Sequence, residues 1–205
     1  MSRYYAIAGA LILVAAAAGP LVYTTLHRQG ADRFADCRTG AVAGGAIGGP
    51  FALVDTKGAA VTDAQVLKKP ALVYFGYASC PDVCPLDNAR NAAATDLLGK
   101  QGMDVTPVFI SVDPTRDTPA VLADYVSNFS DKMVALTGSE AQIAAAAKAY
   151  KVYYQVPEKR DPGYTVDHTT MTYLMLPGTG FADFFQRDAT AEQIADRTAC
   201  FLKAS

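Results

Sequence analysis

From about residue 48 onward, short apolar runs alternate with helix-type stretches and turn signals. Residues 51–55 read as a strand closed by the turn Thr56-Lys57-Gly58. Residues 71–75 are apolar throughout, which predicts a buried central strand. A helical pattern follows over 85–98, opened by Pro85, and then a long apolar strand over 105–112. Thr118 and Pro119 supply the N-cap and first position of a helix running to about Phe129. A strand at 133–137 precedes an alanine-rich helix, capped by Ser139 with Glu140, that ends near Tyr150. Strands at 172–176 and 181–185 meet across Pro177-Gly-Thr-Gly180, a hairpin signal, and Thr190 caps a last helix through about Leu202.

Strands alternating with helices, finishing in a hairpin and a helix, predict an α/β domain with a thioredoxin-like fold: a mixed central sheet flanked by helices. No internal repeat is visible, and 48–205 is the right size for one domain. The amino terminus has a different character. Residues 4–26 carry no charge, and Leu, Ile, Val and Ala dominate. A bilayer span takes ~20 apolar residues, whereas the core of a cleavable signal takes ~7–15. Length therefore selects a retained N-terminal transmembrane helix, and Pro20 does not forbid one. The small residues Ala15 to Ala18 keep cleavage open as the alternative. Arg3 lies on one side of the run and Arg28 and Arg33 on the other, so charge does not set its orientation. The expected organisation is a membrane anchor at 1–28, a flexible Gly/Ala-rich linker at 29–47 and the folded domain at 48–205. Gly44-Gly-Ala-Ile-Gly-Gly49 follows no strand and opens no helix, so it reads as linker and not as a nucleotide loop. The formal net charge of −2 argues against a nucleic-acid partner.

The chemistry concentrates in Cys80-Pro-Asp-Val-Cys84-Pro, directly after the 71–75 run. Thiols at i and i+4 at the start of a helix lie one turn apart on one face. The free N–H groups and positive dipole end there favour thiolate, the form that attacks disulfides and binds soft metals. Gly76-Tyr-Ala-Ser before the first thiol, and a proline after each, read as an exposed loop. The segment is thus a redox dithiol or half of a metal site. No second close cysteine pair exists to complete a zinc ribbon, since Cys37 and Cys200 are isolated. Of two histidines, His27 borders Arg28 and reads as a solvated flank. His168 precedes the strand at 172–176, where a thioredoxin-like fold brings a loop to face the dithiol. A histidine there makes an S,S,N site, and Cu(I) accepts three ligands where structural zinc asks for four.

The domain resembles the Sco/SenC family, membrane-tethered thioredoxin-like proteins associated with assembling the copper centre of cytochrome c oxidase. The resemblance runs from about Gly48 to Lys203 and rests on several motifs in order. They are Gly49-Pro-Phe-Ala-Leu-Val-Asp55, Val61-Thr-Asp63, Leu72-Val-Tyr-Phe-Gly-Tyr77, Cys80-Pro-Asp-Val-Cys-Pro85, Ser111-Val-Asp-Pro-Thr-Arg-Asp-Thr-Pro119 and Val166-Asp-His168. It implies that Cys80, Cys84 and His168 bind copper, as Cu(I) or Cu(II), with Cys80 and Cys84 also a redox-active dithiol. It implies a metallochaperone in the cell inner membrane, single-pass, with its soluble domain facing the periplasm. Its partners are then the copper-receiving oxidase subunit, and another copper chaperone or thiol–disulfide protein. Two alternatives stay open: a thiol–disulfide reductase that keeps the recipient's cysteines reduced, and a redox or copper sensor. The chaperone is preferred to an enzyme, because a reductase has no need of His168. A peroxidase uses one activated cysteine and does not call for this tandem spacing.

In an oxidising compartment, the dithiol leaves Cys37 and Cys200 to bridge each other. Asp113 and Asp117 either hydrogen-bond the site or shape the turn around Pro114, with capping the first assignment for Asp117. Asp167 either orients the His168 ring or faces water. Met171 and Met175 share a strand face and read as core filling. Tyr153-Tyr154 and Glu158 to Asp161 read as a surface excursion. Amino-terminal sequencing of the purified protein tests the anchor: an intact start is expected, and a mature chain beginning after Ala18 would identify a cleaved signal.

Overall fold

The structure, a computed structural model, describes residues 33–38 and 46–205. The run at 4–26, His27 and residues 39–45 of the linker lie outside the described residues. Among the described residues, no helix is long and apolar enough to cross a membrane. Cys37–Ser205 form one compact unit, which holds the whole sheet.

Its elements are β1 (Ala52–Asp55), β2 (Ala60–Thr62), α1 (Asp63–Val66), β3 (Ala71–Gly76), α2 (Val83–Lys100), β4 (Thr106–Ser111) and α3 (Pro119–Ser127). They continue as β5 (Val134–Thr137), α4 (Glu140–Ala149), β6 (Tyr154–Gln155), β7 (Asp167–His168), β8 (Thr172–Leu176), β9 (Gly180–Phe185) and α5 (Ala191–Lys203). The main sheet runs β2-β1-β5-β4-β3-β8-β9, and β6 pairs with β7 separately. Strands β3, β4 and β5 are parallel, while β1, β2, β8 and β9 join antiparallel to their neighbours. This is the mixed, helix-flanked sheet of a thioredoxin-like domain.

The centre of the sheet follows from burial. Every residue of β3 is buried, with Leu72, Val73, Tyr74 and Phe75 fully so. A strand covered on both faces carries a continuous apolar run, as this one does. Each such large side chain contributes roughly 1.5–3 kcal/mol by leaving water. The site at the end of β3 is therefore mounted on the best-anchored part of the molecule. Helix α2 packs beside α5 and over β3 and β4. A buried pair of hydrogen bonds between Asn91 of α2 and Thr172 of β8, at 3.0 and 3.1 Å, ties that helix to the strand.

Thr118, Ser139 and Thr190 act as N-caps as their spacing predicts, accepting from the backbone of Val121, Gln142 and Gln193. Helix α2 begins at Val83, two residues earlier than expected, and Pro85 stands at its third position instead of its first. A first-turn proline costs nothing at any of these places, because no N–H there has an intrahelical partner. The strand expected over 105–112 is trimmed at each end to β4. Elements β2, α1, β6 and β7 are too short to register as periodicity. Tyr154, read as part of a surface excursion, is instead paired with His168 across β6 and β7.

The outer edge of β9 is covered by side chains. Arg38 donates to the Ala182 carbonyl at 3.3 Å and Arg197 to that of Phe184 at 2.9 Å. Such capping blunts an edge that would otherwise recruit another strand. Cys37 and Cys200 are joined in a disulfide across 163 residues of sequence, with Cα atoms 5.6 Å apart. Closing so long a loop restricts the unfolded chain by about 5 kcal/mol in the chain-entropy model. The double variant Cys37→Ser/Cys200→Ser should lose about 2–5 kcal/mol of stability in chemical denaturation. Unchanged denaturation would show that the bridge contributes nothing.

Candidate metal centre

Three segments converge where β3 ends. Cys80 lies in the turn after β3, Cys84 in the first turn of α2, and His168 at the end of β7. Their donor atoms all lie within 4.8 Å of one another. The Cys84 Sγ to His168 Nε2 distance is 3.3 Å. The Cys84 N–H donates to the Cys80 sulfur at 3.4 Å, so a free amide of the first turn serves the thiol outside the helix.

The thiols are not in an exposed loop, as the flanking residues suggested. Cys80 is 8% exposed and Cys84 fully buried, and Gly76 and Tyr77 are buried with them. Only Pro81 and Asp82 between the thiols face water. Turn-forming residues mark a change of chain direction, not exposure. Gly76 has a packing reason. A Cβ there would sit 2.9 Å from the Cys84 sulfur and 2.9 Å from the Tyr74 ring, closer than atoms approach. The missing side chain is what lets α2 press its sulfur against β3.

The helix start does not treat the two thiols alike. Burial pushes the Cys80 thiol up, but backbone N–H groups of Asp82 and Cys84, helped by the Cys84 and Tyr77 side chains, outweigh it. Its pKa ends below that of an ordinary cysteine. Burial pushes the Cys84 thiol far up, and the neighbouring Cys80 adds to the rise. Thiolate stabilisation thus applies to Cys80, where it was expected of both.

Burial also lowers the His168 pKa, keeping the imidazole neutral. Its Nδ1 lies 3.0 Å from the Thr169 carbonyl. A carbonyl only accepts, so Nδ1 carries the proton and Nε2 turns its lone pair toward Cys84. The ring is set by backbone, and Asp167 is exposed. The Tyr74 and Tyr77 rings meet it edge-on, at centroid distances of 6.1 and 5.8 Å.

Neither Asp113 nor Asp117 touches the three donors. Asp117 is fully buried, and its Oδ2 accepts from the Ala78 N–H at 2.9 Å and the Ser111 hydroxyl at 2.6 Å. It does not cap a helix; it pins the start of the thiol loop to the end of β4. Asp113 pairs with Arg116 and accepts from the Tyr164 hydroxyl. Met175 is buried in the core and Met171 packs against it, away from the ligand role.

Sequence reasoning passed over four residues that shape the site. Tyr74 approaches the Cys84 sulfur through its hydroxyl at 3.8 Å. Asp87, fully buried one turn beyond Cys84, pairs with Arg90 at 2.9 Å and Arg187 at 3.7 Å. Gly76 and Tyr77 complete the wall. Two signals were available: Tyr74 and Gly76 share a strand face, and Asp87 follows Cys84 by three residues.

A cluster of two sulfurs and one neutral imidazole suits a soft ion such as copper. The family model for SCO1/SenC matches residues 40–203. Protein SenC of Rhodobacter capsulatus is 57% identical over 181 residues, which is 88% of this chain and 82% of that protein. The crystal structure of Arabidopsis thaliana ScoI with copper bound superposes with a TM-score of 0.72 at 40% identity, covering 77% of this chain and 99% of that one. Yeast Sco1 with copper bound gives a TM-score of 0.74 at 36% identity, covering 78% and 91%.

Iodoacetamide should modify Cys80 before Cys84 in the reduced protein. A lowered pKa brings the thiolate, and so the reaction, in at lower pH, while a raised one keeps Cys84 as unreactive thiol. The Cys80 rate is expected to rise at lower pH than that of an ordinary cysteine. Peptide mapping by mass spectrometry checks this, and equal labelling of the two would contradict it.

Proposed function

Because the chain belongs to the SCO1/SenC family, we propose that it binds copper through Cys80, Cys84 and His168 and serves assembly of the copper centre of cytochrome c oxidase. The observation that carries this reading is the convergence of exactly the donors that a soft ion takes, two sulfurs and a neutral imidazole, within 4.8 Å. Copper is cargo here, taken up and handed on. The protein's part is to bind, orient and release. β3 and α2 fix the sulfurs, and the Thr169 carbonyl fixes the imidazole tautomer. Burial excludes water, which would otherwise compete for the ion and expose the thiols to oxidation. The partial exposure of His168 gives a recipient a route to the donors.

The recipient is the copper-receiving subunit of the oxidase, with a second copper chaperone or a thiol–disulfide protein upstream. The apolar run at 4–26 anchors the chain in the inner membrane in a single pass, and the domain faces the periplasm. The paired Cys37 and Cys200 support an oxidising compartment.

The unequal thiols favour a second reading, thiol–disulfide reduction. The Cys80 thiolate would attack a target disulfide and release one sulfur as thiolate. Deprotonated Cys84 would then attack the mixed disulfide at Cys80 and release the other. Two electrons and two protons leave the dithiol, which ends as a Cys80–Cys84 disulfide. His168 separates the readings.

Cu(I) competition titrations on the anaerobically reduced protein test the first. Cys80→Ser and Cys84→Ser should each abolish tight binding, since the thiolates supply most of the affinity. His168→Ala should weaken binding by at least about tenfold and leave the dithiol able to form its disulfide. If His168→Ala supports oxidase assembly fully while Cys80→Ser does not, reduction and not copper delivery is the function.

A further inference from the structure

The imidazole comes from a segment with little regular structure of its own. Residues 156–166 separate β6 from β7, and those strands pair at two positions, Tyr154 with His168 and Gln155 with Asp167, with Thr169 and Tyr153 exchanging two further hydrogen bonds at 2.9 and 3.0 Å. So short a ladder does not hold a long arm in place. The arm's tip is exposed from Glu158 to Gly163. A second tie lies further along the arm.

It lies at Tyr164 and in the turn after β4. The Arg116 guanidinium stacks over the Tyr164 ring at 3.6 Å and lies 5.4 Å from the Tyr77 ring centre. Its Nη1 donates to the Tyr164 carbonyl at 2.8 Å, and its Nε pairs with Asp113. The Tyr164 hydroxyl returns to the same Asp113 carboxylate, at 2.8 and 3.0 Å from its two oxygens. Asp113 is almost wholly buried, so it is a fixed post. On the other side, the Tyr77 ring meets His168 edge-on at 5.8 Å. The same turn reaches the thiol loop through Asp117 and the Ala78 N–H. One guanidinium thus stands between the arm that carries the histidine and the loop that carries the thiols. Its planar fork can stack on an aromatic face while bonding a carboxylate, whereas an ammonium is a point charge with no plane to stack.

We propose that Arg116 is a positioning residue for His168: clasped between Tyr77 and Tyr164 and anchored on Asp113, it holds the 156–168 arm against the thiol loop. The proposal deepens the copper reading, and rests on it for the part concerning affinity. Its effect on the arm is independent of any metal.

The test uses the full chain with Arg116→Ala and Arg116→Lys. In the metal-free, reduced protein, amide hydrogen exchange at residues 164–169 should quicken at least about tenfold, with β3 and α2 unchanged. Lysine should not rescue it, because it keeps the charge but loses the fork and the stack. Cu(I) affinity of Arg116→Ala should fall toward that of His168→Ala. Added to His168→Ala, the arginine substitution should cost no more than about twofold, since both changes remove the same ligand. Unaltered exchange at 164–169 overturns the proposal, as do substitutions whose effects on affinity simply multiply. Faster exchange together with a His168→Ala protein that binds Cu(I) normally upholds the clasp and overturns the ligand reading. Tyr164→Leu removes the ring and leaves the Arg116–Asp113 pair. It should reproduce the quickened exchange with an intact core, and normal exchange there would also overturn the proposal.

Discussion

The site depends on the burial of β3 along its whole length. Strand β3 lies between β4 and β8 in the sheet and contributes Leu72, Val73, Tyr74 and Phe75 to the core with no exposure. Whatever leaves its carboxyl end inherits that fixed position. The thiol turn leaves there directly. Helix α2 is pressed back against the strand closely enough that only glycine fits at position 76. The histidine arrives beside it because β8, entered shortly after His168, pairs with β3. Two neighbouring thiols and an imidazole remote from them in sequence are thereby drawn to one point by a single strand and its neighbours.

The local electrostatics divide the work among those donors. Cys80 receives hydrogen bonds that outweigh its burial, so it is the thiol inclined to ionise. Cys84 has β3 on one side and the site on the other, and burial holds it protonated until something draws the proton away. A soft cation does so, because it binds thiolate. His168 is kept neutral by burial and holds its proton on the nitrogen that faces Thr169. Of the three donors, Cys84 is thus the one whose proton copper must displace. The same asymmetry suits attack on a disulfide, which is why sulfur chemistry alone does not separate delivery from reduction.

Much of this was legible in the sequence. The succession of strands and helices along the chain, the capping residues and the dithiol position all rest on local signals, and the apolar run before Cys80 marked the central strand. Membership of a thioredoxin-like class placed His168 opposite the thiols. What was not legible has physical causes. The extents of β6 and β7 are too short for periodicity, so Tyr154 looked like surface when it is the partner of His168. The burial of both thiols depends on the close approach of α2, which glycine at 76 permits but does not announce. Asp117 looked like a cap because its neighbours Pro114 and Pro119 suggest turns, whereas its partners, Ser111 and Ala78, come from β4 and the thiol loop. Arg116 lies far in sequence from Tyr77 and Tyr164, so nothing local predicted their stack.

The claim on which the rest stands is that Cys80, Cys84 and His168 hold one ion together. X-ray absorption at the copper edge tests it most directly, on the reduced full chain loaded with one equivalent of Cu(I). The expected spectrum has two sulfur scatterers and one imidazole nitrogen, with the imidazole contribution lost in His168→Ala. A copper bound by sulfur alone, or an imidazole signature that survives that substitution, would contradict it.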